Sequence, residues 1–503
     1  MLFNSFEFIF LFLPFTLFAF FQLGKWGYYR AAIAWLIAAS LFFYGWGNIS
    51  YLGLLIVSIA FNYFVGLALS RRYRAIVFNQ KGLLAFGVLV NLGLLGYFKY
   101  SNFFLSTTND ILGTSFNLQT IILPLAISFY TFNQIAYLVD AYHKKANEYN
   151  FLNYCLFIIF FPHLIAGPIV HHKEMISQFE QESIYRLNHE NLAVGLAIFC
   201  IGIFKKVVIA DEVATYAQAA FASAAQEGAS LTFFEAWAGA IHYSFQLYFD
   251  FSGYSDMAIG LALMFNIKFP LNFDSPYKAV NIIEFWRRWH ITLSNLLRDY
   301  IYIPLGGNRK GKLRRYLNLM ITMLLGGLWH GAGWTFVVWG GLHGIYLVIN
   351  HQWHVFRRGL GHDLTKTSWW SRGLGCLVTF LAVVVAWVFF RAENMGTALR
   401  MLEAMVGVNG VSFEVSMEIG KRMLVLLPII VWFTPNTQQW MEQYNPTLEQ
   451  RVTKPSSTES NRLWKTLQPQ PNVAFGIILG ILTFISLQTL IAAPPSEFLY
   501  FNF

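Results

Sequence analysis

Charge is scarce in this chain. Only 12% of its 503 residues are Asp, Glu, Lys or Arg, about half the share usual in soluble domains, and that excludes an ordinary water-soluble globule. Cysteine is scarcer still. Cys155, Cys200 and Cys376 stand far apart in apolar surroundings, with neither a CxxC nor a Cys/His metal spacing, so they read as small buried hydrophobes and no metal site is expected. GxSxG, HExxH, a Ser/Lys pair and GxxxxGK[ST] are all missing, which removes support for a serine nucleophile, a zinc hydrolase or a Walker loop. No internal repeat is visible, which counts against transporter folds built from repeated halves.

What the chain has in abundance is apolar and aromatic surface. It is 56% hydrophobic, with 50 Phe, 25 Tyr and 16 Trp, and its mean hydropathy is +0.47. The expected fold is all-α: a polytopic transmembrane helical bundle of about eleven to thirteen helices, each needing roughly 20 apolar residues. Spans are expected near 5–24, 31–47, 51–70, 82–98, 119–139, 151–170, 192–210, 231–265 (one piece or two), 317–350 (one piece or two), 374–390, 420–434 and 473–493, all within a single membrane-embedded domain, 1–503. The first, EFIFLFLPFTLFAFFQLGKW, lacks an early basic region and a small-residue cleavage site, so it reads as a retained helix. A net charge of +9 would suit nucleic acid. The basic residues instead lie in short loops between apolar runs, where they set membrane orientation and meet lipid. Arg71, Arg72 and Arg74 then face the cytoplasm and the N-terminus faces outward. The stretch 436–472, polar and Pro/Ser-containing, is expected to be a flexible cytoplasmic loop.

The chemistry concentrates in 285–344, FWRRWHITLSNLLRDYIYIPLGGNRKGKLRRYLNLMITMLLGGLWHGAGWTFVVWGGLHG. From Arg287 to Arg315 eight Lys/Arg face a single acid, Asp299, and interleaved Leu, Ile and Tyr make the piece too apolar for a free loop and too charged to span. An amphipathic or re-entrant element at the cytoplasmic face fits. At the far end of the following apolar stretch stands His330, between glycines that leave room for a ligand or a neighbouring helix. An ionisable group in a membrane is costly and therefore a functional candidate, and imidazole suits acid–base work near neutral pH. His330 and His290 are the candidate catalytic residues; the competing reading of each is a histidine that only ties helices together or sits at the interface. Trp329, Arg287, Arg288, Arg298, Asn308 and Arg309 are candidate substrate-binding residues, the basic ones steering a phosphate-bearing donor or simply meeting anionic lipid. His343 reads as packing. Asp250 and Asp256, with Lys205 and Lys206 as partners, read as structural hydrogen bonding ahead of a proton relay, as do Asn133 and Gln134.

Several strings taken together, FWRRWHITLSNLLRDYIYIPLGGNR, LLGGLWHGAGW, LPLAISFYTF, FPHLIAGPIV, YFDFSGYSDMAIG, FFRAEN and PSEFLYFNF, resemble the membrane-bound O-acyltransferase (MBOAT) superfamily, in its bacterial alginate O-acetyltransferase (AlgI-like) branch. The resemblance covers nearly the whole chain and is weakest over 436–472. It implies a helical fold with a central tunnel, an apical histidine matching His330, and a second position matching His290. It implies further an inner-membrane enzyme that moves acetyl groups from a cytoplasmic thioester, acetyl-CoA, toward exopolysaccharide O-acetylation in alginate-like biosynthesis. No bound cofactor is expected, and the implied partner is a periplasmic SGNH-type acetyltransferase. Transfer of D-alanyl or another acyl unit by a DltB-like enzyme is the alternative within the superfamily; a proton-coupled transporter or a structural scaffold is the alternative outside it.

Overall fold

A computed structural model of the chain describes residues 1–70, 79–145, 150–226, 228, 231–364, 368–411, 418–448, 472–492 and 496–502. Arg71, Arg72 and Arg74, and 449–471 of the polar stretch, lie outside them. Among the described residues regular structure is helical, apart from one isolated bridge between Phe269 and Thr447. That is what lipid demands: with no water to bond to, each backbone group must be satisfied inside its own segment. Six of the described helices are long and apolar enough to cross a membrane: Glu7–Lys25, Ser50–Leu69, Gln80–Leu112, His189–Ala225, Trp369–Arg391 and Val473–Ala492. Gln80–Leu112 and Val473–Ala492 bury only 17% and 11% of their apolar windows, so they form outer walls of the bundle.

At the centre runs Phe233–Met264, one unbroken helix of 32 residues, where the sequence left one span or two open. Thr232 and Glu235 cap its start reciprocally. It packs against His189–Phe204 at backbone distance, because a Cβ on Gly202 would lie 2.7 Å from the Gly253 carbonyl and one on Gly253 2.8 Å from the Gly202 carbonyl. Such small-residue contacts are how helices associate where lipid removes the usual hydrophobic drive.

The segment 317–350, also left open as one piece or two, is two helices, Lys312–His330 and Trp334–Gly359, separated at Gly331–Gly333. Two other expected spans are revised. The piece at 119–139 becomes helical only at Ile127. The expected span at 151–170 is two short helices, Phe151–Ile159 and Phe161–Leu164. Pro162, which has no backbone N–H and a fixed φ, starts the second helix rather than extending the first, and both are too short to cross.

The polar stretch also departs from expectation. Its first dozen residues are docked, not loose: Thr437 Oγ1 donates to Asp256 at 2.6 Å, Gln438 Nε2 donates to the same carboxylate at 3.0 Å, and Asn436 Nδ2 reaches Asp274 at 3.3 Å. Lys205 completes the Asp256 site at 2.7 Å. A buried carboxylate requires such partners, and this stretch supplies them.

Candidate active site

The basic segment folds back on itself. Two short helices, Ile282–Arg288 and Ile291–Leu297, meet at His290, whose left-handed backbone (φ 43°, ψ 55°) makes the corner. A non-glycine residue adopts that conformation at a cost, and here Asn272 holds it. The Asn272 carbonyl accepts from Ile291 N at 2.9 Å, while its side-chain Oδ1 receives Thr292 N at 3.4 Å and Thr292 Oγ1 at 2.9 Å. The same Oδ1 lies 3.0 Å from His290 Nδ1. Because the Thr292 amide can only donate, that oxygen is an acceptor, so His290 Nδ1 carries the proton and Nε2 is left with its lone pair. Nε2 is buried with no hydrogen-bond partner among the described residues. The sequence suggested nothing about Asn272, which lies in a plain KFPLNFDSP stretch; only the fold brings it beneath His290.

His330 ends its helix and is 3% exposed. Its ring is enclosed by Trp329 at 4.9 Å, Trp339 at 5.1 Å, Phe390 at 5.2 Å and Tyr500 at 5.7 Å between centroids. Trp329 and Tyr500 also contact the His290 ring, at 6.1 and 6.5 Å. The two histidines, 40 residues apart in the sequence, therefore face one aromatic chamber. Gly327 and Gly340 let the two helices around it close together: a Cβ on Gly327 would clash with the Phe336 carbonyl, and one on Gly340 with that of Met323.

Lys99, unremarked in the sequence, belongs to the site as well. Its Nζ donates to the Trp329 carbonyl at 2.5 Å and the His330 carbonyl at 3.4 Å, and Tyr100 Oη donates to the Leu328 carbonyl at 2.6 Å. The last carbonyls of a helix lack intrahelical partners and carry negative dipole; a neighbouring helix supplies the cation. Its signal was one lysine inside GLLGYFKYSNFF.

Tyr500 reaches the site through a buried ion network. Lys206 lies 2.6 Å from Asp250 and 2.8 Å from Asp211. Asp250 accepts from Leu499 N at 3.1 Å, Lys206 donates to the Glu497 carbonyl at 3.0 Å, and Ser496 Oγ donates to Asp211 at 2.6 Å. These bonds moor 496–502 against the central helix. The lysine partners expected for the intramembrane carboxylates are thus in place, and Gln134 is hydrogen-bonded across helices to Ser58 and Asn62, each at 2.8 Å.

Below the histidines lies a chamber of about 720 Å³ lined by both apolar and basic groups, among them Trp286, Ile291, Leu297, Met323, Arg287, Arg298, Arg315 and Asn308. Its lining includes neither imidazole; on the His330 helix it includes Thr322 and Met323, about 10 Å short of His330 at 1.5 Å per residue, and both imidazoles are buried, so the expected tunnel is not seen to reach them. Of the candidate substrate-binding residues, Arg287, Arg298 and Asn308 line it. Trp329 instead packs between the two imidazoles. Arg288 is committed to Glu284 at 2.8 Å and Asp274 at 3.6 Å, a structural role that its sequence neighbourhood concealed. Arg309 is exposed on the following turn and is not part of this lining. His343 is fully buried against Trp286 and Trp339, as its packing role requires.

A helical bundle with paired buried imidazoles above a basic-lined chamber defines a class of membrane acyl-transfer enzyme, and comparison with known proteins agrees. The family described as MBOAT, membrane-bound O-acyltransferase family, matches residues 76–382. The chain belongs to that family and is a membrane-embedded O-acyltransferase of its AlgI-like branch. A peptidoglycan O-acetyltransferase of Helicobacter pylori is 48% identical over 440 residues, 82% of this chain and 81% of the relative. A probable alginate O-acetylase AlgI of Pseudomonas aeruginosa is 44% identical over 414 residues, 80% of this chain and 75% of the relative. A teichoic acid D-alanyltransferase of Streptococcus thermophilus is 27% identical over 286 residues, 54% of this chain and 69% of the relative.

Proposed function

We propose that this enzyme takes an acetyl group from a cytoplasmic thioester, acetyl-CoA, and passes it across the bacterial inner membrane toward hydroxyls of a cell-envelope polysaccharide such as alginate or peptidoglycan. A periplasmic SGNH-type acetyltransferase completes the transfer. The observation that carries the reading is the pair of aromatic rings, Trp329 and Tyr500, that His290 and His330 share, together with a cavity lined by both basic and apolar groups that includes Ile291, next to His290. The identity to O-acetyltransferases, well above that to the D-alanyltransferase, favours acetyl over D-alanyl.

The tautomer held by Asn272 divides the labour. His290 Nε2 is an acceptor, so of the donor and the acceptor, either of which the sequence left it to align, it suits the acceptor hydroxyl. His330 is the imidazole left to donate to the carbonyl oxygen as negative charge develops there. The hydroxyl oxygen forms the new C–O bond, its proton passes to His290 Nε2, the C–S bond breaks, and the thiolate leaves with that proton returned from the His290 imidazolium. Enclosing the reaction in aromatic walls keeps water from the thioester.

The test is to reconstitute the purified protein in liposomes, supply radiolabelled acetyl-CoA at the basic face with a periplasmic partner and polysaccharide, and locate the label. Label on the polysaccharide with wild type and none with His330→Ala supports the reading. Equal labelling by His330→Ala, or labelling only from a D-alanyl carrier protein, overturns it.

A further inference from the structure

Beside the donor chamber opens a second one, of about 550 Å³. It shares Arg287, Arg315 and His351 with the first and adds His354 and Arg358. His351, His354 and Arg358 stand three, four and seven positions apart on the end of Trp334–Gly359, so they fall on one helix face. Four guanidinium groups line this chamber against two carboxylates, Asp274 and Glu284, and both carboxylates engage Arg288. The balance is positive where a polar ligand enters. Arg315 Nε is buried without a hydrogen-bond partner among the described residues, an unsatisfied donor of the kind that a bound group accounts for.

We propose that this second chamber is the phosphate subsite of the enzyme: it binds the phosphate esters of a water-soluble, nucleotide-borne acyl donor. Guanidinium forks suit phosphate oxygens in paired geometry. The lining residues shared by the two chambers, Ile283, Arg287, Arg315 and His351, let one ligand place its phosphates in the second and its thioester arm in the first. The assignment rests on the first chamber being the donor site. An anionic lipid headgroup carries the same chemistry, but continuity with the donor chamber favours the soluble ligand. Specificity follows: a donor lacking nucleotide phosphates loses this contact and competes poorly.

Titrating the purified full-length protein calorimetrically with inorganic pyrophosphate, and then with adenosine 3′,5′-bisphosphate, reads the site without any acyl transfer. Saturable binding is expected, weakened about tenfold by His354→Gln and again by Arg358→Gln, the size expected when one charge-assisted bond is lost. Arg357→Gln, whose Nε hydrogen-bonds His362 at 3.3 Å and lies outside the lining, leaves binding unchanged. No pyrophosphate binding, equal weakening by Arg357→Gln, or variants that change only retained phosphatidylglycerol would each overturn the proposal. If pyrophosphate binds with this residue dependence and acetyl-CoA does not displace it, the chamber stands and the acetyl-CoA reading falls. If acetyl-CoA supports transfer while pyrophosphate does not bind, the reverse holds.

Discussion

The ammonium of Lys99 sits 2.5 Å from the carbonyl oxygen of Trp329, joining an outer-wall helix to the last turn of the helix that carries His330. Lys99 lies 19 residues into Gln80–Leu112 and His330 lies 18 into Lys312–His330. At 1.5 Å per residue each has risen about 27–29 Å, so the contact fixes the depth of the imidazole relative to the wall. Lys99→Met leaves two carbonyls without their cation, a loss of about 1–3 kcal/mol. The expected outcome is a lowered kcat with KM for the donor little changed, and a lower melting temperature. A change in KM alone would argue that Lys99 binds donor instead.

Asn272 is a positioning residue, and its removal separates geometry from stability. Asn272→Leu frees His290 to take either tautomer and is expected to lower kcat about 10–100-fold, the usual scale for a lost orienting partner. His290→Ala is expected to cost about 10²–10⁴-fold, as for loss of an acid–base group. Initial-rate assays of both, alone and combined, give the check: the double variant should be no slower than His290→Ala. Additive losses would mean that Asn272 acts elsewhere.

Lys206 and Asp250 form a buried pair, each side chain 2% exposed. Lys206→Met strands Asp250 and is expected to destabilise the protein by about 3–5 kcal/mol, seen as a fall in thermal midpoint in detergent. Because the same lysine moors Glu497, a Tyr500 proximity probe against His330 should report release of the tail. Replacing both residues, Lys206→Met with Asp250→Leu, should recover most of the stability but not the mooring of 496–502.

Gly327 marks where the two helices of the site touch backbone to backbone. Gly327→Val forces its side chain onto the Phe336 carbonyl. Overpacking costs about 1–3 kcal/mol or more, so the variant should reach the membrane in reduced amount and lose activity. Gly333→Ala is the comparison: its Cβ meets nothing closer than 3.6 Å, and near-normal yield is expected. Equal loss in both would point to a requirement for glycine flexibility instead of space.

Much of this was legible in the chain. Long apolar runs must become helices in lipid, a histidine at the end of one is conspicuous by its cost, and eight basic residues around Leu, Ile and Tyr must fold at an interface. Short motifs carried the family. Several features were not legible, because they depend on partners distant in sequence. Arg288 looked as available as Arg287 until Glu284 and Asp274 closed on it. The opening residues of 436–472 looked like flexible loop because polarity alone does not reveal that Asp256, 181 residues before Thr437, needs hydrogen-bond donors. Pro162 interrupted a run that hydropathy reads as one span.

The sequence by itself determined that the protein is a helical membrane enzyme and marked His290 and His330 as candidates, since hydropathy and local spacing are properties of neighbouring residues. The tertiary structure alone decided which nitrogen of His290 bears the proton, which carbonyls Lys99 satisfies, and that Tyr500 stands between the two histidines. Each of these is a contact across 18 to 231 residues of chain, and pairing at such separation is set by how helices pack, which no local pattern encodes.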